Sequence, residues 1–341
     1  MIANNYYYGL IDLSYILSRN IFSVSKDKKP GEYNEGDVLT TTIWSLNKIA
    51  RDFNICCDKL VMLADRWDAT MGGYYRNYLL RDVVQYKGSR KYMNEELLEE
   101  MRNNPETTPE ELAKAESELY QNQVKTKAKW AMIRDFKSIG IPVIMVPGWE
   151  ADDLSWLFAG LAYGKTGGKK SVLITKDSDQ MYSTTPELDF FKLPTNGSEP
   201  KVITYEEMYN SMPEEIKRWG VSLYNYNALQ NALGVTHNDM GVSRKSHTNA
   251  TQVMLEVLKG DYHNIENREL FDKQLESYDI SKFPRIEEAC DLINNYLPGA
   301  GHYDSDLKNF HDFCKKYGIT KVSDKYFSEF IGRFDQKLFT E

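Results

Sequence analysis

Seven carboxylates stand at positions where a folded chain could gather them: Asp12, Asp65, Glu150, Asp152, Asp153, Asp177 and Asp179. Each closes a short apolar run or opens the stretch that follows one. An acid in such a place is most often a helix cap, because a helix N-terminus favours negative charge, so any one alone carries little weight. Gathered at one edge, they would repel one another unless cations balanced them. Oxygen-only donors select hard divalent ions, Mg2+ or Mn2+, over zinc, and none of the five His residues falls beside these acids. Two or more such ions could activate water and stabilise the leaving oxygen during attack on a phosphodiester. A phosphatase of another parallel-sheet type would want a nucleophilic Asp with a second acid two residues on. Here Asp12 is followed by Leu13 and Ser14.

The elements that must position these acids are legible as short apolar runs. Tyr6–Asp12 (YYYGLID), Lys59–Asp65 (KLVMLAD), Pro142–Val146 (PVIMV) and Ser171–Asp177 (SVLITKD) read as strands, with helical stretches such as 38–53 and 152–163 between them. Buried strands alternating with helices imply an α/β fold, a central parallel-rich sheet with helices on both faces. Ligands of such sheets sit at the carboxyl ends of the strands, and three of the four runs end there in Asp. If helix has begun by Glu150, that residue and Asp153 share one face. Residues 94–140 read as a charged helical insertion. Thr108-Pro109-Glu110-Glu111 is a capping box with Pro at the first helical position, and Trp130, Ile133 and Phe136 are its expected buried side. A second capping box spans Thr204–Glu207, and beyond it only helical patterns remain. The expected organisation is therefore a domain over 1–204 and a mostly helical domain over 205–341.

Composition sets limits on this reading. The net charge of −8 argues against a nucleic-acid binder, since phosphate contacts need Lys and Arg, but an enzyme that collects carboxylates is acidic at its centre and basic only where a phosphate backbone tracks. Cys56 and Cys57 are adjacent, Cys290 and Cys314 stand apart, and no C-x-x-C occurs, a pattern of reduced thiols rather than of a zinc site or disulfide framework. The start MIANNYYYGL lacks a basic segment followed by an apolar one, and no apolar run reaches membrane-spanning length. A cytoplasmic protein with no membrane partner is expected.

Taken in order, IDLS, ADRWD with QYKGSR downstream, EADD, and DSD after an apolar strand resemble the flap endonuclease / 5′-to-3′ exonuclease family over most of the chain. The resemblance implies a PIN-like, Mg2+-dependent nuclease domain with an arch-like insertion at about 91–140, and a helical DNA-binding domain after it. It implies that Asp12, Asp65, Glu150 and Asp152 hold the cleavage-site ions and that Asp153, Asp177 and Asp179 complete the cluster. Lys87 matches the family's active-site lysine, Arg90 the arginine three residues later, and Arg76 their upstream partner. The Arg76–Lys87 spacing is long for the family, which leaves Arg81 as a competitor. Lys125, Lys127 and Lys129 are the insertion's plausible DNA-facing edge, and Arg244 and Lys245 would add backbone contacts in the second domain.

There the family carries a helix-three-turn-helix motif with acids and a bound monovalent ion, K+. This chain reads Gly234-Val235-Thr236-His237-Asn238-Asp239, so Asp239 stands in for the second acid only after a one-residue shift, and Met240–His247 replaces the usual glycine-rich turn. The implied substrates are branched or nicked DNA and RNA–DNA hybrid with a 5′ end. The implied partners are replication proteins such as a single-strand-binding protein or sliding clamp. The implied activity is 5′-exonuclease, flap endonuclease and ribonuclease H action on primers and flaps during phage DNA replication. Its rivals are a nuclease-fold protein that binds branched DNA but cleaves poorly, and a small-molecule phosphohydrolase.

Overall fold

The computed structural model describes residues 6–55, 59–82, 93–175, 179–192, 201–234, 249–297 and 307–322. In chain order the first elements are β1 (Tyr8–Asp12), α1 (Leu13–Ser25), α2 (Glu35–Phe53), β2 (Leu60–Leu63), α3 (Tyr75–Leu80), α4 (Glu95–Asn103) and α5 (Pro109–Asp135). There follow β3 (Val143–Ile144), α6 (Ala151–Lys165), β4 (Ser171–Thr175), β5 (Leu188–Lys192) and β6 (Lys201–Ile203). The rest is helical: α7 (Tyr205–Ser211), α8 (Glu214–Lys217), α9 (Leu223–Ala232), α10 (Ala250–Leu258), α11 (Arg268–Glu276), α12 (Ile286–Asn294) and α13 (Leu307–Lys316). None of the described helices is long and apolar enough to cross a membrane.

The strands form a mixed sheet in the order β3-β2-β1-β4-β5-β6. The amides of Met62 and Ala64 donate to the carbonyls of Pro142 and Ile144, both at 2.9 Å, a two-residue step on each chain that marks parallel pairing. β4 and β5 are parallel, with Ser171 opposite Leu188 through to Thr175 opposite Lys192, and β6 closes that side antiparallel to β5. All four expected strands are present. β5 and β6 are additional to the four expected strands, and in β5 Asp189 interrupts the apolar run LDFF. Its carboxylate is nevertheless buried, accepting from Lys170 Nζ at 3.2 Å and the Tyr205 amide at 3.3 Å, so the strand stays in the core.

Packing gathers the chain into two compact units, 1–62 with 91–143 and 301–341, and 63–90 with 144–300. The helices after residue 205 build a core from Met208, Ile216, Leu229, Val253 and Phe271, and Ile203 of β6 and Met181 pack against that same core.

In the first unit, α1 buries Leu13, Ile16, Leu17, Ile21 and Val24, the one-sided spacing of a half-buried helix. α2 starts at a capping box between Asn34 and Asp37 and packs on α1 and α5. The expected box at Thr108 opens α5, with Pro109 at its first position. Its expected buried side needs correction: Trp130 is 51% exposed and Ile133 only half-buried. The buried residues are Ala115, Val124, Ala128, Ala131 and Met132, a stripe at helical spacing on a helix that packs on α1 and α2, and Trp130 lies outside that stripe. Phe136 is buried, but beyond the helix, edge-on to Phe313 of α13 at 5.5 Å. Gly36 is required where α2 begins, since a Cβ there would collide with the Tyr317 carbonyl oxygen.

In the second unit, α6 packs on β4, α9 on α11, and α3 on α11. α6 begins one residue before its expected start, and the α7 capping box at Thr204 and Glu207 is present.

Candidate active site

Asp65 follows β2 by two residues and is half-buried. The chain returns to this point through the turn at Pro147-Gly148, where Gly148 has a φ of +86°, a conformation that other residues adopt only with strain. The turn is tied on both sides. Gly148 N donates to Arg66 O (2.8 Å), Arg66 N to Trp149 O (3.2 Å) and Tyr75 N to Gly148 O (2.8 Å). Trp149 is fully buried, donates Nε1 to Pro284 O at 2.7 Å and meets Phe283 edge-on at 5.0 Å. This ladder delivers Glu150 to the end of β2.

Glu150 is the N-cap of α6, yet its side chain caps nothing. Asp65 does that work from a distant part of the sequence: its Oδ1 accepts the Ala151 amide at 2.7 Å, setting a carboxylate at the positive end of α6. Glu150 is released for Arg76, whose Nη1 reaches Oε2 at 2.5 Å. The same guanidinium grips Asp153 with both nitrogens, Nη1 to Oδ2 at 2.9 Å and Nη2 to Oδ1 at 2.5 Å. Glu150 and Asp153 thus share a face, as their spacing implies, and that face is closed by an arginine. All three side chains are buried, at 6% exposure or less.

Beneath the guanidinium lie Tyr278, 4.8 Å from centroid to carbon, and Phe283 at 5.7 Å. The Tyr224 hydroxyl donates to the Tyr278 carbonyl at 2.7 Å. Burial pushes the Asp153 carboxyl above its ordinary pKa, and the neighbouring Glu150 charge adds to this, while Arg76 pulls the other way. Burial, reinforced by the charge of Asp153, raises the hydroxyls of Tyr224 and Tyr278 far above the usual phenol range, so both stay neutral. No sequence signal marked Tyr224, Tyr278 or Phe283, because their partners lie far away along the chain.

The other face of the first turn is different. Asp152 is half-buried, and its Oδ1 accepts a hydrogen bond from Gln180 Nε2 of the 3-10 turn Asp179–Ser183. Gln180, itself buried, is another residue that sequence reasoning missed, although it directly follows the quoted DSD motif. Among the described residues no three His, Cys, Asp or Glu side chains lie close enough to hold a metal ion. Asp65 and Asp152 are nonetheless both carboxylates, and oxygen donors of that kind fit Mg2+ or Mn2+ better than zinc.

The remaining expected site residues fall as follows. Asp12 ends β1 and caps α1, accepting the Tyr15 amide at 3.1 Å. Arg76 is the buried brace just described rather than a group open to a phosphate. Arg81 is exposed, 3.7 Å from Asp82 and 4.3 Å from the Tyr78 ring. Lys125 Nζ is 2.6 Å from Ser18 Oγ, Lys127 is exposed and Lys129 half-exposed. Lys87, Arg90, Asp177, Asp239, Arg244 and Lys245 lie outside the described residues, as does the side chain of Asp179.

The six-stranded, largely parallel sheet with its helices is a PIN-like nuclease fold. Two solved structures share it at low sequence identity. The T5 D15 protein, co-crystallised with metal ions, is 14% identical, with 91% of this chain and 97% of that one covered and a TM-score of 0.52. Flap endonuclease-1 from Methanococcus jannaschii is 12% identical, with 98% and 94% covered and a TM-score of 0.50. No protein-family model matches the chain, and no curated protein matches it.

Proposed function

We propose that this chain is a divalent-metal-dependent, structure-selective 5′-nuclease. The observation that carries the reading is the first turn of α6, where Asp65 caps the helix by accepting the Ala151 amide and the next residue, Asp152, accepts from Gln180, while Arg76 holds Glu150 and Asp153. A bound Mg2+ or Mn2+, held by Asp65 and Asp152 with Asp177 and Asp179, would supply an activated water and offset charge on the leaving oxygen. Glu150 and Asp153 serve by holding Arg76, which fixes the start of α6 against α3. Lys87 and Arg90 would place cations at the scissile phosphate, and exposed Arg81 would touch the backbone.

The substrate would be a duplex with a free 5′ end, either branched or nicked DNA or an RNA–DNA hybrid. The chain also resembles the ribonuclease H of T-even phages. Removal of RNA primers or 5′ flaps in phage-type replication, alongside a single-strand-binding protein or clamp, is the role we assign. A K+ ion at the 234–239 segment would support duplex grip. The test is cleavage of a labelled 5′-flap duplex and an RNA–DNA hybrid by the full chain in Mg2+, with EDTA and Asp152→Asn as controls. Metal-dependent release of 5′ fragments, lost in both controls, is expected. Binding of the flap without cleavage at any metal concentration would overturn the reading in favour of a branched-DNA binder.

A further inference from the structure

The segment after Asp65 presents an aromatic strip that the proposed chemistry does not use. Trp67 is 57% exposed and Tyr78 40% exposed, while Tyr74 between them is half-exposed. Trp67 meets Tyr74 edge-on at 5.9 Å, Tyr74 and Tyr78 are one helical turn apart, and the Arg81 guanidinium lies 4.3 Å over the Tyr78 ring. Arg66 is also exposed, immediately before Trp67. Exposed single aromatics are ordinary, but three in a row flanked by two cations on a protein of net charge −8 need a reason.

The strip is also held in place. Asp68 and Gly73 exchange both backbone hydrogen bonds at 3.0 Å, closing a small hairpin behind Trp67. The Asp68 carboxylate takes the Thr70 amide at 2.8 Å and hydroxyl at 2.6 Å, and lies 3.3 Å from Arg285. Gly73 has no room for a side chain: a Cβ would sit 2.9 Å from Asn77 Cβ and 3.4 Å from the Trp67 ring. The indole is therefore laid against the start of α3, a fixed flat face rather than a loose side chain. Fixing it in advance lowers the ordering cost of whatever stacks there.

We propose that Trp67, Tyr74 and Tyr78, with Arg66 and Arg81, form a stacking platform for unpaired nucleobases of a single strand. Every base offers a π-face, so such a surface holds a strand without reading its sequence, while the guanidiniums meet its phosphates. The strand would then lie beside Asp65, which caps the helix carrying Asp152. The choice of nucleic acid rests on the nuclease reading, and the test therefore involves no cleavage.

Fluorescence anisotropy in EDTA would follow binding of the full chain to an oligothymidylate of about 12 nucleotides and to an abasic strand of equal length. Trp67→Ala should weaken oligothymidylate binding by about 5- to 100-fold, with Tyr78→Ala intermediate and Trp67→Phe near wild type. The abasic strand, which keeps only phosphate contacts, should bind wild type and Trp67→Ala alike. Unchanged oligothymidylate affinity in both alanine variants, or equal loss for the abasic strand, would overturn the proposal. Tyr78→Ala carries the test alone if Trp67→Ala melts early, since Tyr78 lies outside the hairpin. Loss of flap cleavage in wild type with this pattern intact would sink the nuclease reading and leave the platform standing.

Discussion

Asp152 and Asp153 are neighbours in sequence on one helical turn, and their surroundings could hardly be less alike. Asp153 is 2% exposed, gripped by both nitrogens of Arg76, with Glu150 on the same guanidinium and Tyr278 beneath it. Asp152 is half-exposed and accepts from Gln180, and it directly follows Ala151, whose amide Asp65 caps. The helix rotates about 100° between the two, enough to turn one carboxylate inward and the other out. Counting acids in a motif therefore overstates the charge available to a cation, because Glu150 and Asp153 already share the Arg76 guanidinium.

That contrast can be broken most severely at Arg76. Arg76→Met leaves two buried carboxylates without their cation and should cost about 3–5 kcal/mol of stability in urea denaturation. A loss under about 1 kcal/mol would mean that the acids relax to solvent and that the closed face is not closed. Asp153→Asn keeps the volume but ends the charged pair, and about 1–3 kcal/mol should go. Asp152→Asn, by the same measurement, should leave apo stability equal or slightly higher, since it removes a negative charge from an acidic edge.

A smaller effect comes from a third kind of acid, held by partners at the surface. Burial acts to raise the pKa of Asp135, but hydrogen bonds from Lys316 and Tyr317 outweigh it and hold the carboxyl below its ordinary value. A depressed folded pKa contributes stability that is present above the ordinary carboxylate value and lost as pH falls through the folded one. The end of α13 should therefore loosen from α5 only in acid below the usual carboxylate range, by less than about 1 kcal/mol. Hydrogen exchange of the α13 amides against pH reads this directly, and Asp135→Asn should abolish the acid dependence. Protection that instead falls toward neutral pH, once the intrinsic base-catalysed exchange rate is divided out, would reverse the assignment.

Much of this arrangement is local and therefore legible. Apolar runs closed by Asp located β1, β2 and β4, and Thr108 with Glu111 and Thr204 with Glu207 marked helix starts that the structure contains. The shared face of Glu150 and Asp153 follows from three-residue spacing. What occupies that face does not, since Tyr278 and Phe283 come from a different part of the chain and nothing near them in sequence announces it. Trp130 is exposed for a related reason: apolar character says what prefers burial, whereas the buried stripe of α5 runs through Val124, Ala128, Ala131 and Met132 and leaves Trp130 outside it. β5 was hidden by Asp189, a charge made tolerable by Lys170 and the Tyr205 amide.

The central claim is that the open face, not the closed one, meets the metal. Titration calorimetry of Mn2+ into the full chain, wild type against Asp152→Asn and Asp153→Asn, tests it without relying on cleavage. Asp152→Asn should lose roughly tenfold or more in affinity, because hard-cation binding follows ligand charge and count. Asp153→Asn should stay within about threefold of wild type despite its lower stability. Equal losses in the two variants, or a greater loss in Asp153→Asn, would contradict the division of the acids drawn here.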